Sequence, residues 1–287
     1  MHDKFLFIFL ITTFLASESL LFKKLPVKEG LLVDLNADKG VFTNNEGKVI
    51  KWANQANFSK AQFFEKRDEG RKIPGSGSPV LKENVAVING HNSMVFREQE
   101  LLCPNEDAFD HLITGSGYTF FCVINPYKQE GKLKDVNSFF GNLRNGGMYE
   151  GFWGGFTDDN RVWAGPRNGI TFGRWDANNP FICSQEPLQE NKYYLVIGKM
   201  EAATDSANVY LMVNEWNEIN YMQKVKVNTS ANSSKLSIGQ ERDAINHPGV
   251  ESFDGEIARF LLYERPLSKK EMNSVIKYLI NSYNIIK

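Results

Sequence analysis

Cysteine is scarce: the chain holds three in 287 residues. Three cannot all pair within one chain, so no disulfide framework is implied, and the spacing of Cys103, Cys122 and Cys183 fits no zinc motif. A Cys103–Cys183 bridge stays open, whereas Cys122 lies in an apolar stretch and reads as a small buried hydrophobe. Surplus charge is also missing. Thirty-three Lys and Arg face 34 Asp and Glu, so no field of one sign favours a polyanion, and nucleic acid is not an expected partner. Beyond the N-terminus, no apolar run is long enough to cross a bilayer. Helical periodicity is rare as well, with one convincing instance near the C-terminus.

What is present suits β-structure. Hydrophobic residues reach 42% and aromatics 13%, with 21 Phe, and strands favour aromatic side chains on a pleated surface. Lys4 precedes the apolar run Phe5 to Ala16, and the small residues Ala16, Ser17 and Ser19 offer a cleavage site. This is the pattern of an export signal. The expected organisation is a signal peptide over residues 1–19, a linker over 20–29 and one domain over 30–287. A secreted, periplasmic or cell-surface location follows, with no membrane span after cleavage.

Strand patterns appear at Leu31–Leu35, Val49–Trp52, Val85–Ile88, Tyr118–Ile124, Tyr193–Met200 and Val209–Val213, separated by polar or Gly-bearing segments. Asn44 to Gly47 makes a turn, and Arg67 to Pro79 an exposed loop. Ser268 and Glu271 form a capping box, with Leu267 and Met272 as its hydrophobic staple. Met272, Val275, Ile276, Leu279 and Tyr283 then recur at helical spacing, which places one apolar face against the domain. Short strands with turn signals and a single helix indicate an all-β, two-sheet antiparallel sandwich.

The stretch from Phe253 to Ser268 resembles the closing signature of laminin-G-like, concanavalin A-like jelly rolls in bacterial exported proteins. In that family a segment of the form F-x-G-x-I, here Phe253-Asp254-Gly255-Glu256-Ile257, leads through an apolar strand to a Leu-Ser helix cap. The opening is similar too: Leu32 to Ala37 precedes Val49 to Gln55, which carries a W-x-N segment at Trp52 to Asn54. The resemblance implies a jelly-roll sandwich with a C-terminal helix. Related domains bind sugars, mediate adhesion, or cleave polysaccharides, and fold alone does not choose among these. Many relatives carry an acidic residue where this chain has Ala258. Asp34, Asp254 and Glu256 remain as oxygen ligands for a structural calcium ion.

The chemistry-bearing residues gather in two regions. The first runs from Gly141 to Pro180 and carries Arg144, Tyr149, Glu150, Trp153, Trp163, Arg167, Arg174, Trp175 and Asp176 among many glycines. Arg-Asn-Gly occurs twice, at Arg144 and Arg167, and Asn-Gly is the favoured two-residue hairpin turn. Arg offers a planar fork for carboxylate, sulfate or hydroxyl groups, and Trp a flat apolar face for a sugar ring. The second region is Ile238 to Glu251, with Glu241, Arg242, Asp243, Asn246 and His247. Glu241-x-Asp243-x-x-Asn246 resembles the Glu-x-Asp-x-x-Glu strand of laminarinase- and agarase-type jelly-roll hydrolases, with Asn246 in place of the second catalytic Glu. That exchange removes the proton carrier of the hydrolase mechanism.

The expected function is therefore recognition of a polysaccharide or other glycan, acidic ones favoured. Arg144, Tyr149, Trp153, Arg167, Arg174, Trp175, Asp176 and Arg242 are the expected ligand contacts. A polysaccharide-cleaving enzyme is the rival reading, either a hydrolase or a lyase. Glu150, Glu241, Asp243 and His247 are its candidate catalytic groups; in a lyase, Arg144 and Arg167 would neutralise a uronate and Tyr149 would protonate the leaving oxygen. An adhesion or protein-interaction module is a third. The arginine-bearing segments and the Glu241–His247 loop are expected to converge on one face.

Overall fold

The computed structural model describes residues 24–66, 77–106, 108–129, 136–144, 147–215, 222–228, 234–241 and 251–285. The expected leader, residues 1–19, lies outside them, as does residue 67 to 76 of the expected loop. Along the chain the strands are β1 (Leu31–Asn36), β2 (Val41–Thr43), β3 (Val49–Ala53), β4 (Phe63–Glu65), β5 (Val80–Val85), β6 (His91–Arg97), β7 (Leu101–Leu102) and β8 (Tyr118–Pro126). They continue as β9 (Asn137–Gly141), β10 (Gly151–Phe156), β11 (Val162–Arg167), β12 (Ile182–Cys183), β13 (Tyr194–Met200), β14 (Ser206–Val213), β15 (Met222–Lys226), β16 (Ser237–Ile238) and β17 (Asp254–Tyr263). One helix, α1 (Lys269–Ser282), follows.

These strands form two antiparallel sheets packed face to face, the expected jelly-roll sandwich. The first runs β15-β14-β13-β8-β17-β6-β5, with β1 also beside β17, and the second runs β12-β11-β10-β9-β16-β7-β4-β3-β2. Strand β17 divides one edge between two partners. Asp254 to Ile257 pairs with β6, and Arg259 to Tyr263 pairs with β1. On its other edge β17 pairs with β8, with a bulge between Ile257 and Arg259.

The period-two alternation of β8 sorts its side chains between two apolar layers. Phe120, Cys122 and Ile124 enter the core between the sheets, and Phe121 and Val123 the layer on the outer face. The inter-sheet core is dominated by phenylalanine. Phe120 lies 4.8 Å from Phe140, and Phe140 5.3 Å from Phe260, ring centre to ring centre. Helix α1 covers the outer face of the first sheet through Met272, Val275, Ile276 and Leu279. The segment expected as a linker joins this layer. Leu25 and Val27 are buried in it, and the Tyr263 hydroxyl donates to the Val27 carbonyl at 3.0 Å.

The expected strands at Leu31, Val49, Tyr118, Tyr193 and Val209 correspond to β1, β3, β8, β13 and β14. The expectation of a strand over Val85–Ile88 is corrected. β5 ends at Val85, and Ala86–Ile88 is a 3-10 turn closed by Asn89 at φ 57°. Asn tolerates that left-handed backbone, so Asn89-Gly90 turns the chain where an apolar run had suggested continuation. No disulfide joins any two of the three cysteines; Cys103 lies in the inter-sheet core and Cys183 against an aromatic cluster on the far face of the second sheet.

The capping box forms as expected. Ser268 Oγ accepts from the Glu271 N–H, and Glu271 Oε2 accepts from the Ser268 N–H at 2.9 Å. Arg265 donates to Glu271 at 2.6 Å. Together, the Arg265 hydrogen bond first and the Ser268 N–H second, they hold the Glu271 carboxyl down to about 2, from an ordinary 4.5. Ser268→Ala is expected to cost about 1 kcal/mol of stability. Because Glu271 is depressed in the folded state, its contribution is complete above its unfolded value and fades as pH falls towards 2. Urea unfolding of the parent and Glu271→Gln at pH 7 and pH 2.5 should therefore show a difference that shrinks in acid. A difference of equal size at both pH values would refute this role.

Candidate functional site

The outer face of the second sheet is shaped by paired glycines and tryptophans. Alternation along β10 sends Phe152 and Phe156 into the core and Trp153 outwards, and β11 likewise sends Trp163 outwards. In the β10–β11 register, Trp153 stands opposite Gly165 and Gly155 opposite Trp163. A Cβ on Gly155 would meet the Trp163 ring at 2.4 Å, so glycine here makes room for the indole.

Trp175 completes the cluster. It stacks on Trp153 at 5.3 Å, and Trp163 meets both rings edge-on at 4.7 and 4.9 Å. Trp153 is 3% exposed and Trp163 fully buried. The expectation that Trp153 offers its face to a sugar is therefore corrected: each indole face is spent on another indole, and only the half-buried Trp175 reaches the surface.

Two loops rise from this base. The loop from Leu143 to Glu150 joins β9 to β10, and residues 168–181 join β11 to β12. Arg167, 3% exposed, ties them together: its Nη2 donates to the Phe172 carbonyl at 2.7 Å in one loop and the Met148 carbonyl at 3.2 Å in the other. Its guanidinium also lies 5.7 Å from the Tyr149 ring centre and 5.9 Å from that of Trp153. Asp176, half-buried, is tied to its own loop. Its carboxylate accepts from Thr171 Oγ1 at 2.7 Å and from the N–H groups of Asn178 and Asn179 at 2.9 Å each. These donors, Thr171 foremost, hold the Asp176 carboxyl below the usual range. Arg167 and Asp176, expected to touch ligand, brace the loop instead, because their polar atoms answer its backbone.

The Asn168-Gly169 pair does not close a hairpin. Asn168 Oδ1 accepts from Ile170 N–H at 3.0 Å and Gly169 takes φ 76°, which starts the long loop. The other pair, Asn145-Gly146, lies outside the described residues. Tyr149 and Trp175 hold φ of 55° and 58°. Such left-handed backbone is strained for bulky residues and persists where the surroundings enforce it.

Arg144 Nη1 donates to Glu150 Oε1 at 3.0 Å; the guanidinium side is half open and the carboxylate side buried. Glu150 Oε2 is buried without a hydrogen-bond partner. Glu241 is fully buried, and its main chain lies against Gly141, where a Cβ would meet the Glu241 carbonyl oxygen at 2.1 Å. Arg144, Tyr149, Glu150, Trp153, Arg167, Trp175, Asp176 and the backbone of Glu241 thus converge around one end of β9–β11. Arg174 is exposed on the same loop as Trp175. Arg242, Asp243, Asn246 and His247 lie outside the described residues.

The feature that sequence reasoning missed is an exposed apolar rim. Phe172 is 61% exposed, Ile170 50% and Met148 41%, and the Phe172 ring touches that of Tyr149 at 5.3 Å between centres. The signal was available: Ile170-Thr171-Phe172 sits in a Gly- and Asn-rich loop with no strand to pair it.

The proposed calcium ligands do not form a centre. Asp34 gives both oxygens to Arg259 at 2.8 Å, and Glu256 accepts from Lys82 at 2.9 Å and from Tyr127 and Tyr193 at 2.5 Å each. Asp254 faces Arg97 at 3.7 Å. Cationic and phenolic donors already fill these positions, so the residues do not fit a calcium ion. Among the described residues no group of three or more His, Cys, Asp or Glu is gathered for a metal, and no helix is long and apolar enough to cross a membrane.

No protein-family model matches the sequence, and no curated protein matches it either. Solved structures share its fold. The sialidase of Trypanosoma rangeli with 2,3-difluorosialic acid, a covalent intermediate, superposes with TM-score 0.51 at 13% identity, over 90% of this chain and 34% of the sialidase. The same enzyme with 2,3-difluoro-KDN gives 0.50 at 12% identity, over 92% and 34%. The chain thus spans about a third of the length of these sialidases. The CBM40 of the Ruminococcus gnavus IT-sialidase, bound to α2,3-sialyllactose, superposes at 0.39 and 15% identity, over 58% of this chain and 85% of the CBM40.

Arg167→Met is expected to destabilise the domain by roughly 3 kcal/mol, since it strips a buried cation from carbonyls that then lack a donor. Arg144→Ala should cost at most about 1 kcal/mol, its pair being half open to solvent. Thermal unfolding of both variants checks the contrast, and equal melting midpoints would contradict the division into brace and rim.

Proposed function

We propose that this domain binds a carbohydrate at the rim formed by Arg144, residues 147–150 and residues 168–181. The observation that carries the reading is the open Phe172 ring against Tyr149, the residue before Glu150 of the Arg144–Glu150 pair, with Arg167 holding the Phe172 and Met148 carbonyls from beneath. Phe172 supplies the flat apolar surface on which a sugar ring stacks, and Arg144 and Arg174 supply cations for a carboxylate or sulfate. An acidic glycan is the ligand that uses both. The sandwich fold, shared with sialidase structures, and the laminin-G-like character of residues 253–268 support this assignment. An exported protein, freed of residues 1–19, would meet such ligands outside the cytoplasm.

Binding is favoured over cleavage by the state of the carboxylates. Glu150 is held by Arg144, and Glu241 is fully buried. Among the described residues the site presents no pair of open carboxylates to flank a glycosidic bond.

Phe172→Ala should weaken retention on acidic polysaccharides about tenfold, or about 1.4 kcal/mol, with the melting midpoint unchanged because the ring is exposed. A glycan array of acidic and neutral glycans, followed by affinity electrophoresis of the parent and Phe172→Ala, checks this. Binding that survives Phe172→Ala and Arg144→Ala intact would remove this rim from consideration.

A further inference from the structure

A second concavity lies far from the tryptophan cluster, between β1, the start of β6 and the end of α1. Its volume is 790 Å³, and Asp34, Lys39, His91, Arg259, Tyr278 and Tyr283 are among the residues around it. That volume falls in the range of about 300–1,000 Å³ usual for small-molecule sites.

The acidic groups around this cavity are already answered. Arg259 Nε and Nη2 donate to the two oxygens of Asp34, both at 2.8 Å. Asp38 Oδ2 lies 2.6 Å from His91 Nδ1, and its Oδ1 accepts from the Asn92 N–H at 2.8 Å. Glu264 faces His111 at 3.3 Å. The groups left over are chiefly donors. Arg259 is 7% exposed, and its Nη1 makes a long 3.5 Å contact with the Tyr278 hydroxyl. The Tyr283 hydroxyl is buried beside Arg259, its ring held 4.3 Å from the His91 ring. Lys24, Lys28 and Lys39 stand exposed at the mouth. The amides of Gln55 and Asn57 offer an acceptor as well as a donor.

A buried guanidinium edge flanked by two phenols, with exposed lysines around the cavity, calls for a ligand that accepts hydrogen bonds and carries negative charge. We propose that this cavity is a second binding site, separate from the glycan rim, for a small carboxylate-bearing molecule of sugar-acid size. The carboxylate would accept from Arg259 Nη1 and Tyr278, and the ammonium groups at the mouth would favour its entry. Asp34 holds Arg259 in place and leaves Nη1 turned to the ligand, so Asp34 is a positioning residue.

D-glucuronate is the probe and D-glucose its neutral counterpart, each titrated into the purified protein by calorimetry. Saturable binding of glucuronate without saturable binding of glucose is expected. Tyr278→Phe and Lys39→Glu should each weaken glucuronate binding about fivefold, and neither removes a buried charge. Phe172→Ala, at the glycan rim, should leave it unchanged. No saturable glucuronate binding, equal binding of glucose, or indifference to Tyr278→Phe and Lys39→Glu would each overturn the proposal. Loss in Phe172→Ala alone would also overturn it, by moving the probe to the rim.

Discussion

Every residue of β17 is buried, and that constraint organises the rest of the molecule. A strand buried on both faces requires an apolar layer on each side and a partner for every polar side chain it carries. The inner layer is the phenylalanine core. The outer layer is α1, whose face matches Ala258, Leu261 and Tyr263. The charged residues of β17 are met individually: Asp254 by Arg97, Glu256 by Lys82 and two tyrosines, and Arg259 by Asp34. The bulge after Ile257 lets one strand serve β6 and β1 in turn, and it places Arg259 where β1 can supply Asp34. A capped helix, a docked N-terminal segment and a buried ion pair are thus consequences of one strand's burial.

The second sheet solves the opposite problem. Among the described residues no helix covers its outer face at β10 and β11, which bears two tryptophans. Glycine opposite each indole lets the rings lie close to the sheet, and the loop of residues 168–181 brings Trp175 and Phe181 to cover them. The resulting aromatic cluster is small and separate from the main core. Its purpose in the fold is to give two irregular loops a rigid floor, which loops rich in glycine and asparagine would otherwise lack.

Much of the architecture was legible in the sequence because it rests on local signals. Ser268 with Glu271 identified the helix start through capping chemistry, and the nearly continuous apolar run Tyr118–Ile124 identified a strand apolar on both faces. Val85–Ile88 misled because composition favoured a strand while Asn89-Gly90 favoured a turn, and the turn residues prevailed. At the candidate site, residue types were legible but their roles were not. Trp153, Arg167 and Asp176 carry ligand-binding chemistry, yet pairing across β10–β11 and the path of a long loop turn that chemistry inward. These are non-local facts, set by register and loop closure. Phe172 illustrates the converse: an ordinary apolar residue becomes the most open ring because Trp153 and Trp163 are covered and Trp175 is half-buried.

The strained backbone at Tyr149 and Trp175 connects this packing to recognition. Each left-handed aromatic residue costs on the order of 1–3 kcal/mol, and such strain persists only where surrounding contacts impose it. Here those contacts are the indole stack under Trp175 and the Arg167 guanidinium beside Tyr149. The folding of the sandwich, not the arrival of a ligand, supplies the free energy that holds both loops in place. On the proposed reading, a ligand meeting Phe172 would find Tyr149 and Trp175 already held, with that much less ordering to offset. Burying Trp153 and Trp163 sacrifices their stacking faces and, on that reading, gives Tyr149, Phe172 and Trp175 a rigid base.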